Sequence, residues 1–369
     1  MFIQVPREML LSHLQVVGRA VPNRSVIPSL AGILLEAKDG LLRLTANDLE
    51  ISISTTIECE VKEPGETVIP ARLLTETVRR SPGELITLHA VAERNAVQIV
   101  SGPMQMEILT LSSDEFPEAT DFAEERHYII SQLMAKNMIR QVDFAISTEE
   151  LRPILTGALW SFSDKELRVT ALDGYRLASR WSELNATEQQ NFKIVVPAKA
   201  LRELVRLLSD DQQELRIATG GTYIAFEFNK TRLVSRLLEG QFPNTEQFLP
   251  KVYQTRTTLN GTELLNAIER AALVSKEGAN GSVKLTIEDN KIAVSAQSMD
   301  IGRHYEEWPI QSTGENLQIM YNIKALGELL RSAESEEVVI DFHGSYGPCI
   351  LRPVGRDNYV GLLMPVRLN

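Results

Sequence analysis

Apolar and polar residues alternate along most of this chain in short runs, the signature of half-buried strands. Leu85–Ala90, Val97–Val100, Leu215–Ala218, Ile224–Phe228, Leu233–Leu237, Val338–Phe342 and Cys349–Leu351 all read this way. At six places the period changes to that of a helix. Leu10, Leu14 and Val17 share one helical face, as do Met134, Met138, Ile139 and Val142, and Leu264, Leu265, Ile268 and Leu273. Leu201, Leu204, Val205 and Leu208 mark another, after a strand end that reads Val195-Val-Pro-Ala. The same strand-to-helix signal occurs at Val68-Ile-Pro-Ala and Met320-Tyr-Asn-Ile. The pattern predicts helices over 7–20, 71–81, 131–146, 198–209, 262–276 and 323–333. Pro70 and Pro197 sit near helix starts, where a missing N–H costs little. Thr262 is the expected N-cap of the fifth helix, and Ser81-Pro-Gly ends the second.

The order of these elements repeats. Leu42–Ser54 reads LRLTANDLEISIS and Leu167–Ser179 reads LRVTALDGYRLAS, with six of thirteen positions identical. A third stretch, IAVSAQSMD from Ile292, places Ser295 in register, so Thr45, Thr170 and Ser295 step by 125 residues. Gly32, Gly157 and Ser282 open the preceding strand at the same step. A period this long is a duplicated domain, not a solenoid. The expected fold class is α+β: three copies, each with two helices packed on antiparallel sheet. The expected domains are 1–125, 127–252 and 253–369, with linkers in the polar stretches 117–127 and 243–256.

Composition adds limits. The chain has 369 residues, 43% hydrophobic and 24% charged, enough for a core in each copy. Only Cys59 and Cys349 are present, which argues against a disulfide framework. The sequence shows no signal peptide and no membrane-spanning run, so a cytoplasmic protein with no membrane partner is expected. The net charge is −11, yet the six predicted helices total +7, which leaves −18 on everything else. Five of the six helices are net positive and none carries a block of like charge. Such a spread suits diffuse attraction to a polyanion better than base readout, although basic residues on helices are often only solvated.

Catalytic signatures are missing. No phosphate-binding glycine motif is found, and the five histidines have no metal-ligand spacing. The run His343-Gly-Ser-Tyr-Gly-Pro-Cys gathers reactive residue types but has the chemistry of a turn, and Asp173-Gly174 reads as a turn as well. Neither a cofactor nor a metal is expected.

Thr170-Ala-Leu-Asp-Gly-Tyr-Arg-Leu, the threefold repeat, Val196-Pro-Ala-Lys and the terminal Met364-Pro-Val-Arg-Leu together resemble the bacterial DNA polymerase sliding clamps, the beta subunits of the replicative polymerase. The resemblance spans the whole chain. It implies a head-to-tail homodimer forming a ring of six domains, helices inside and sheets outside, around duplex DNA bound without sequence preference. It implies a pocket for short peptides of the polymerase catalytic subunit, the clamp loader, other polymerases and repair proteins. By matching positions the pocket comprises Leu155, Thr170, Gly174, Tyr175, Arg176, Leu177, Pro243, Met364, Pro365, Val366 and Arg367. Arg24, Arg72, Lys199 and Arg206 match DNA-facing positions. Met106 and Ile108 of one chain would meet Leu273 and Val274 of the other, although all four also fit as ordinary core residues. The chain departs from some relatives at Tyr175, Phe248, Pro153, Ile154 and Ala198. Two readings compete with a clamp. One is an enzyme centred on Asp173, Arg176 and His343; the other is a repeat-built adaptor that binds proteins but not DNA.

Overall fold

Each helix forms where the period-two pattern breaks at the end of a strand, and the strand residue itself starts the helix. A computed structural model describes the chain except for residues 118–121, 164, 185–190, 251, 276–280 and 367–369. The first copy runs β1 (Phe2–Pro6), α1 (Arg7–Val17), β2 (Gly32–Lys38), β3 (Leu41–Asn47), β4 (Ile51–Glu58), β5 (Glu60–Glu63), β6 (Gly65–Pro70), α2 (Ala71–Arg80), β7 (Leu85–Val91), β8 (Ala96–Ser101) and β9 (Met104–Leu109). The second runs β10 (Arg126–Ser131), α3 (Gln132–Asp143), β11 (Gly157–Phe162), β12 (Glu166–Leu172), β13 (Arg176–Glu183), β14 (Phe192–Pro197), α4 (Ala198–Leu207), β15 (Glu214–Gly220), β16 (Tyr223–Phe228) and β17 (Thr231–Arg236). The third runs β18 (Thr255–Asn260), α5 (Gly261–Ala272), β19 (Ser282–Glu288), β20 (Lys291–Ser298), β21 (Gly302–Pro309), β22 (Gln311–Gly314), β23 (Leu317–Asn322), α6 (Ile323–Ser332), β24 (Glu337–Phe342), β25 (Cys349–Pro353) and β26 (Tyr359–Leu363). The three copies thus share one plan of two helices and antiparallel strands.

The helix faces read from the sequence are turned inward, except at Leu273, which lies just past the end of α5 and is exposed. Leu10, Leu14 and Val17 on α1 and Leu264 on α5 are fully buried, each contributing about 2 kcal/mol by leaving water. Two details differ from expectation. Pro70 holds the cap position before α2, one residue earlier than a first-turn proline. The cap of α5 is Asn260, not Thr262: the Glu263 N–H donates to Asn260 Oδ1 at 2.9 Å, and Thr262 lies inside the helix. Asn322 caps α6 in the same way, through the Ala325 N–H at 2.9 Å. An Asn at the end of a strand competes well for this role because its short amide reaches the exposed N–H groups of the first turn.

The strands form sheets that cross the copies. The chain divides into two compact units, Met1–Met134 with Glu203–Leu237, and Ala135–Arg202 with Leu238–Asn369. The first unit holds a five-stranded sheet, β5-β1-β7-β8-β9, and an eight-stranded sheet, β10-β15-β16-β17-β4-β3-β2-β6. The second holds a nine-stranded sheet, β14-β11-β12-β13-β26-β25-β24-β18-β22, and a four-stranded sheet, β21-β20-β19-β23. In each unit one whole copy is joined to half of the second by strand pairing, β17 to β4 and β13 to β26. Within the second copy, the repeated glycine that opens β11 is required by close packing against β14. A Cβ on Gly157 would lie 2.3 Å from the Val196 carbonyl oxygen of the neighbouring strand.

Candidate functional site

The second copy of the repeat motif builds a turn between β12 and β13. Asp173 Oδ1 accepts hydrogen bonds from the Tyr175 and Arg176 N–H groups, both at 2.8 Å, and Gly174 sits at φ +99°. The first copy makes the same turn. Asp48 Oδ1 accepts from Glu50 and Ile51 N–H at 3.0 and 2.9 Å, and Leu49 occupies the glycine position at φ +74°. The aspartate shared by the two copies is therefore a turn residue, since a short carboxylate two residues back mimics a backbone acceptor. In the second copy the turn also aims Arg176. Its Nε donates to Asp173 Oδ2 at 2.8 Å and its Nη1 to Glu328 Oε2 on α6 at 2.5 Å.

Beside this turn lies an apolar floor. Leu155, Leu172, Leu177, Ile350, Val360 and Leu362 form one buried cluster, with Ile154, Trp181, Phe242, Leu249 and Met364 packed against it and half exposed. The floor is made by the pairing of β13 with β26, which sets Leu177 opposite Leu362. Next along the same sheet face, the Thr170 and Ser179 hydroxyls share a buried hydrogen bond of 2.9 Å, so neither polar group is left unsatisfied. The wall comes from the chain end: the Met364 N–H donates to the Tyr175 carbonyl at 2.8 Å, and the Val366 N–H to the Met320 carbonyl at 2.9 Å. The Tyr175 ring stands 71% exposed above the floor. The structure thus brings Leu155, Thr170, Gly174, Tyr175, Arg176, Leu177, Met364, Pro365 and Val366 to one neighbourhood, with Pro243 half-buried next to the clustered Phe242. Arg367 lies outside the described residues. The sequence reading missed Leu172, Ile350, Leu362, Phe242 and Leu249. Strand alternation marks the first three as buried but does not reveal which sheet faces adjoin.

The groups suspected of catalysis have local structural roles. Asp173 is committed to its turn and to Arg176. His343 Nδ1 shares a hydrogen bond with the Pro348 carbonyl at 3.0 Å across its own turn. Burial pushes the Cys349 thiol up to about 11, so at neutral pH it is protonated and a poor nucleophile. Among the described residues no His, Cys, Asp or Glu cluster is placed to hold a metal ion. No described helix is long and apolar enough to cross a membrane.

The other candidate residues divide by environment. Arg24 is exposed after α1, Arg72 is exposed on α2, and among the described residues neither has an ion-pair partner. Lys199 and Arg206 are exposed on α4, where Arg206 pairs with Glu203. Glu203 also receives Arg19 at 3.4 Å, so two of the helix arginines share one carboxylate. Ile154 packs on the apolar floor. Met106 is 40% and Leu273 77% exposed, and Val274 is half-buried, whereas Ile108 is buried in its own unit. The other exposed apolar residue on β9 is Leu109, on the opposite face.

Family models for the DNA polymerase III beta subunit match the chain in three blocks: the N-terminal domain at residues 1–120, the central domain at 129–244 and the C-terminal domain at 246–367. The beta sliding clamps of Staphylococcus epidermidis and Staphylococcus aureus are each 32% identical over 372 residues, covering 98% of this chain and 98% of each relative. The chain belongs to the DNA polymerase III beta subunit family. The solved DNA polymerase sliding clamp of Bacillus subtilis has a TM-score of 0.97 at 33% identity, and the beta subunit of Thermotoga maritima 0.91 at 27%, each covering all of both chains. Sliding clamps are non-catalytic processivity factors, and their three-domain α+β fold is the one found here.

The shared turn gives a test. Leu49→Gly removes a left-handed leucine and should raise stability by about 0.5 kcal/mol, strain relief outweighing the added freedom of the unfolded chain. Gly174→Leu should lower it by about 1–2 kcal/mol. Urea midpoints of the two variants read both signs.

Proposed function

We propose that this chain works as a DNA sliding clamp, in which two copies close head to tail into a ring of six repeats around duplex DNA. Cations on the helices, Arg72, Lys199 and Arg206 among them, and Arg24 in the segment after α1 face the phosphates without reading bases. The pocket beside the Asp173 turn takes short peptides from the polymerase catalytic subunit, the clamp loader, other polymerases and repair proteins. Apolar walls with a few polar groups suit an apolar peptide side chain held in one orientation. The chain itself catalyses nothing and acts in the cytoplasm.

The observation that carries this reading is an unfinished series of strand pairings. The third strand of each first meander is β4, β13 or β21, and the last strand of each copy is β9, β17 or β26. Inside one chain β4 pairs with β17 and β13 with β26, in the same register: Ser54 lies opposite Arg232 and Ser179 opposite Val360. β21 and β9 are left as sheet edges. An edge strand that is long and uncovered invites another strand. The pairing that completes the series joins β21 of one copy to β9 of another, and a repeated head-to-tail contact of this kind closes into a ring. Carrying the register across places Tyr305 opposite Gln105, Arg303 opposite Glu107 and His304 opposite Met106. Arg303 and Glu107 then share a face and have opposite charge, which favours this alignment. Leu273 and Val274, just after α5, follow on the helix-covered side with Met106.

Three outcomes are expected. A ring loaded on nicked circular DNA by a clamp loader should slide off once the circle is linearised, whereas retention with free ends would point to contact binding. Removing residues 364–369 should abolish binding of a polymerase peptide and leave the dimer intact by sedimentation; unchanged affinity would refute the pocket. Glu107→Cys with Arg303→Cys should crosslink under mild oxidation to twice the 41.3 kDa chain mass, because directly opposed strand residues lie within disulfide reach. Glu107→Cys with His304→Cys, whose side chains leave opposite faces, should not. Equal crosslinking of both pairs would discard the register.

A further inference from the structure

The floor of the pocket continues beyond its apolar residues. One row of directly opposed residues crosses six strands: Leu172, Leu177, Leu362, Ile350, Asp341 and Arg256. The first four belong to the apolar cluster. The last two are ionic. Asp341 is buried and accepts from Arg256 Nε and Nη2 at 2.5 and 2.9 Å and from Arg352 Nη1 at 2.8 Å. One carboxylate thus holds two guanidinium groups, and the trio carries net positive charge. Both arginine side chains stay about two-fifths exposed, at 41% and 40%. The Arg256 guanidinium also lies 4.0 Å over the Tyr253 ring, which fixes its position. These groups line a groove of about 430 Å³ with Leu249, Pro250 and Val252. Leu249 packs on the apolar floor as well, so groove and pocket are continuous.

We propose that this groove is a second subsite for the peptide that enters the apolar pocket, and that it takes one or two carboxylates from an acidic stretch flanking the peptide's apolar anchor. The inference rests on the reading of that pocket as a peptide site. Two arginines pre-oriented by a buried aspartate present N–H donors to a carboxylate at little further cost in side-chain freedom. The exposed Val252 and the Tyr253 ring beside them favour an amphipathic peptide over a bare phosphate backbone. Spacing follows from the row. Three strand steps of about 4.8 Å separate Leu362 from Arg256, roughly 14 Å, which an extended peptide covers in about four residues. The acidic residues therefore belong about four or five positions from the anchor.

The test uses the full chain and fluorescence anisotropy with three labelled peptides. One joins an apolar anchor to a neutral Ser/Gly extension; the others carry an Asp-Glu pair four or five residues from the anchor, on its N-terminal or C-terminal side. One acidic peptide should bind about tenfold tighter than the neutral one at low salt, with the gain shrinking at about 0.3 M NaCl as the charges are screened. Arg352→Gln should remove most of that gain and leave neutral-peptide affinity unchanged, because Asp341 keeps its two bonds from Arg256. Arg256→Gln should do the same from the other side. An acidic peptide no better than the neutral one, or a gain that survives both substitutions, overturns the subsite while the pocket stands. Failure of the neutral peptide to bind overturns both. Loss of the acidic gain to a short duplex DNA competitor, with neutral binding intact, assigns the groove to phosphates and also overturns the proposal.

Discussion

Every strand at the margin of a sheet carries a row of backbone N–H and C=O groups that need partners. In this chain that requirement joins the copies. β17 satisfies β4, and β26 satisfies β13, so the sheets run from one copy into the next without a break. The compact units follow these ladders and not the repeat boundaries, which is why each contains half of the second copy. The candidate pocket depends on the same pairing, because Leu177 and Leu362 reach each other only across the β13–β26 junction.

Much of this was legible in the residues. The helices were, because Leu10, Leu14 and Val17 or Leu201 and Leu204 can be buried together only on a 3.6-residue period. The repeat was, because Thr45 and Thr170 occupy matching buried places on β3 and β12. The cap of α5 was misplaced by two residues, since Asn260 also reads as the last residue of a strand and local pattern cannot weigh the two roles. The pocket was legible only in part. Gly174 and Tyr175 stand out because they break the pattern of the first copy, whereas Ile350 and Leu362 look like any alternating core residue. Leu249 sits in a polar stretch that reads as linker, and Phe242 lies just before it. What brings Leu177 and Leu362 together in the candidate pocket is a strand pairing between segments nearly two hundred residues apart, and no local periodicity encodes that.

Charge shows a similar gap between pattern and place. The positive bias of the helices is real in the sequence, but several of those cations are already held. Arg79 and Arg80 pair with Glu76, Arg270 with Glu306 and Arg331 with Glu269. Such exposed pairs add little stability. Their greater effect is to soften the local field, which would suit the surface proposed to attract a polyanion and still let it move.

The β13–β26 ladder has a mechanical consequence. In the proposed clamp a tethered partner would pull on the pocket, whose floor belongs to strands paired from Arg176 with Leu363 to Arg180 with Tyr359. Opening that floor would mean breaking the ladder, so tension on the tether would pass in series through the side chains that hold the peptide and then through backbone hydrogen bonds that act together. The few side-chain contacts are the weaker link, so the client would detach and the junction would hold.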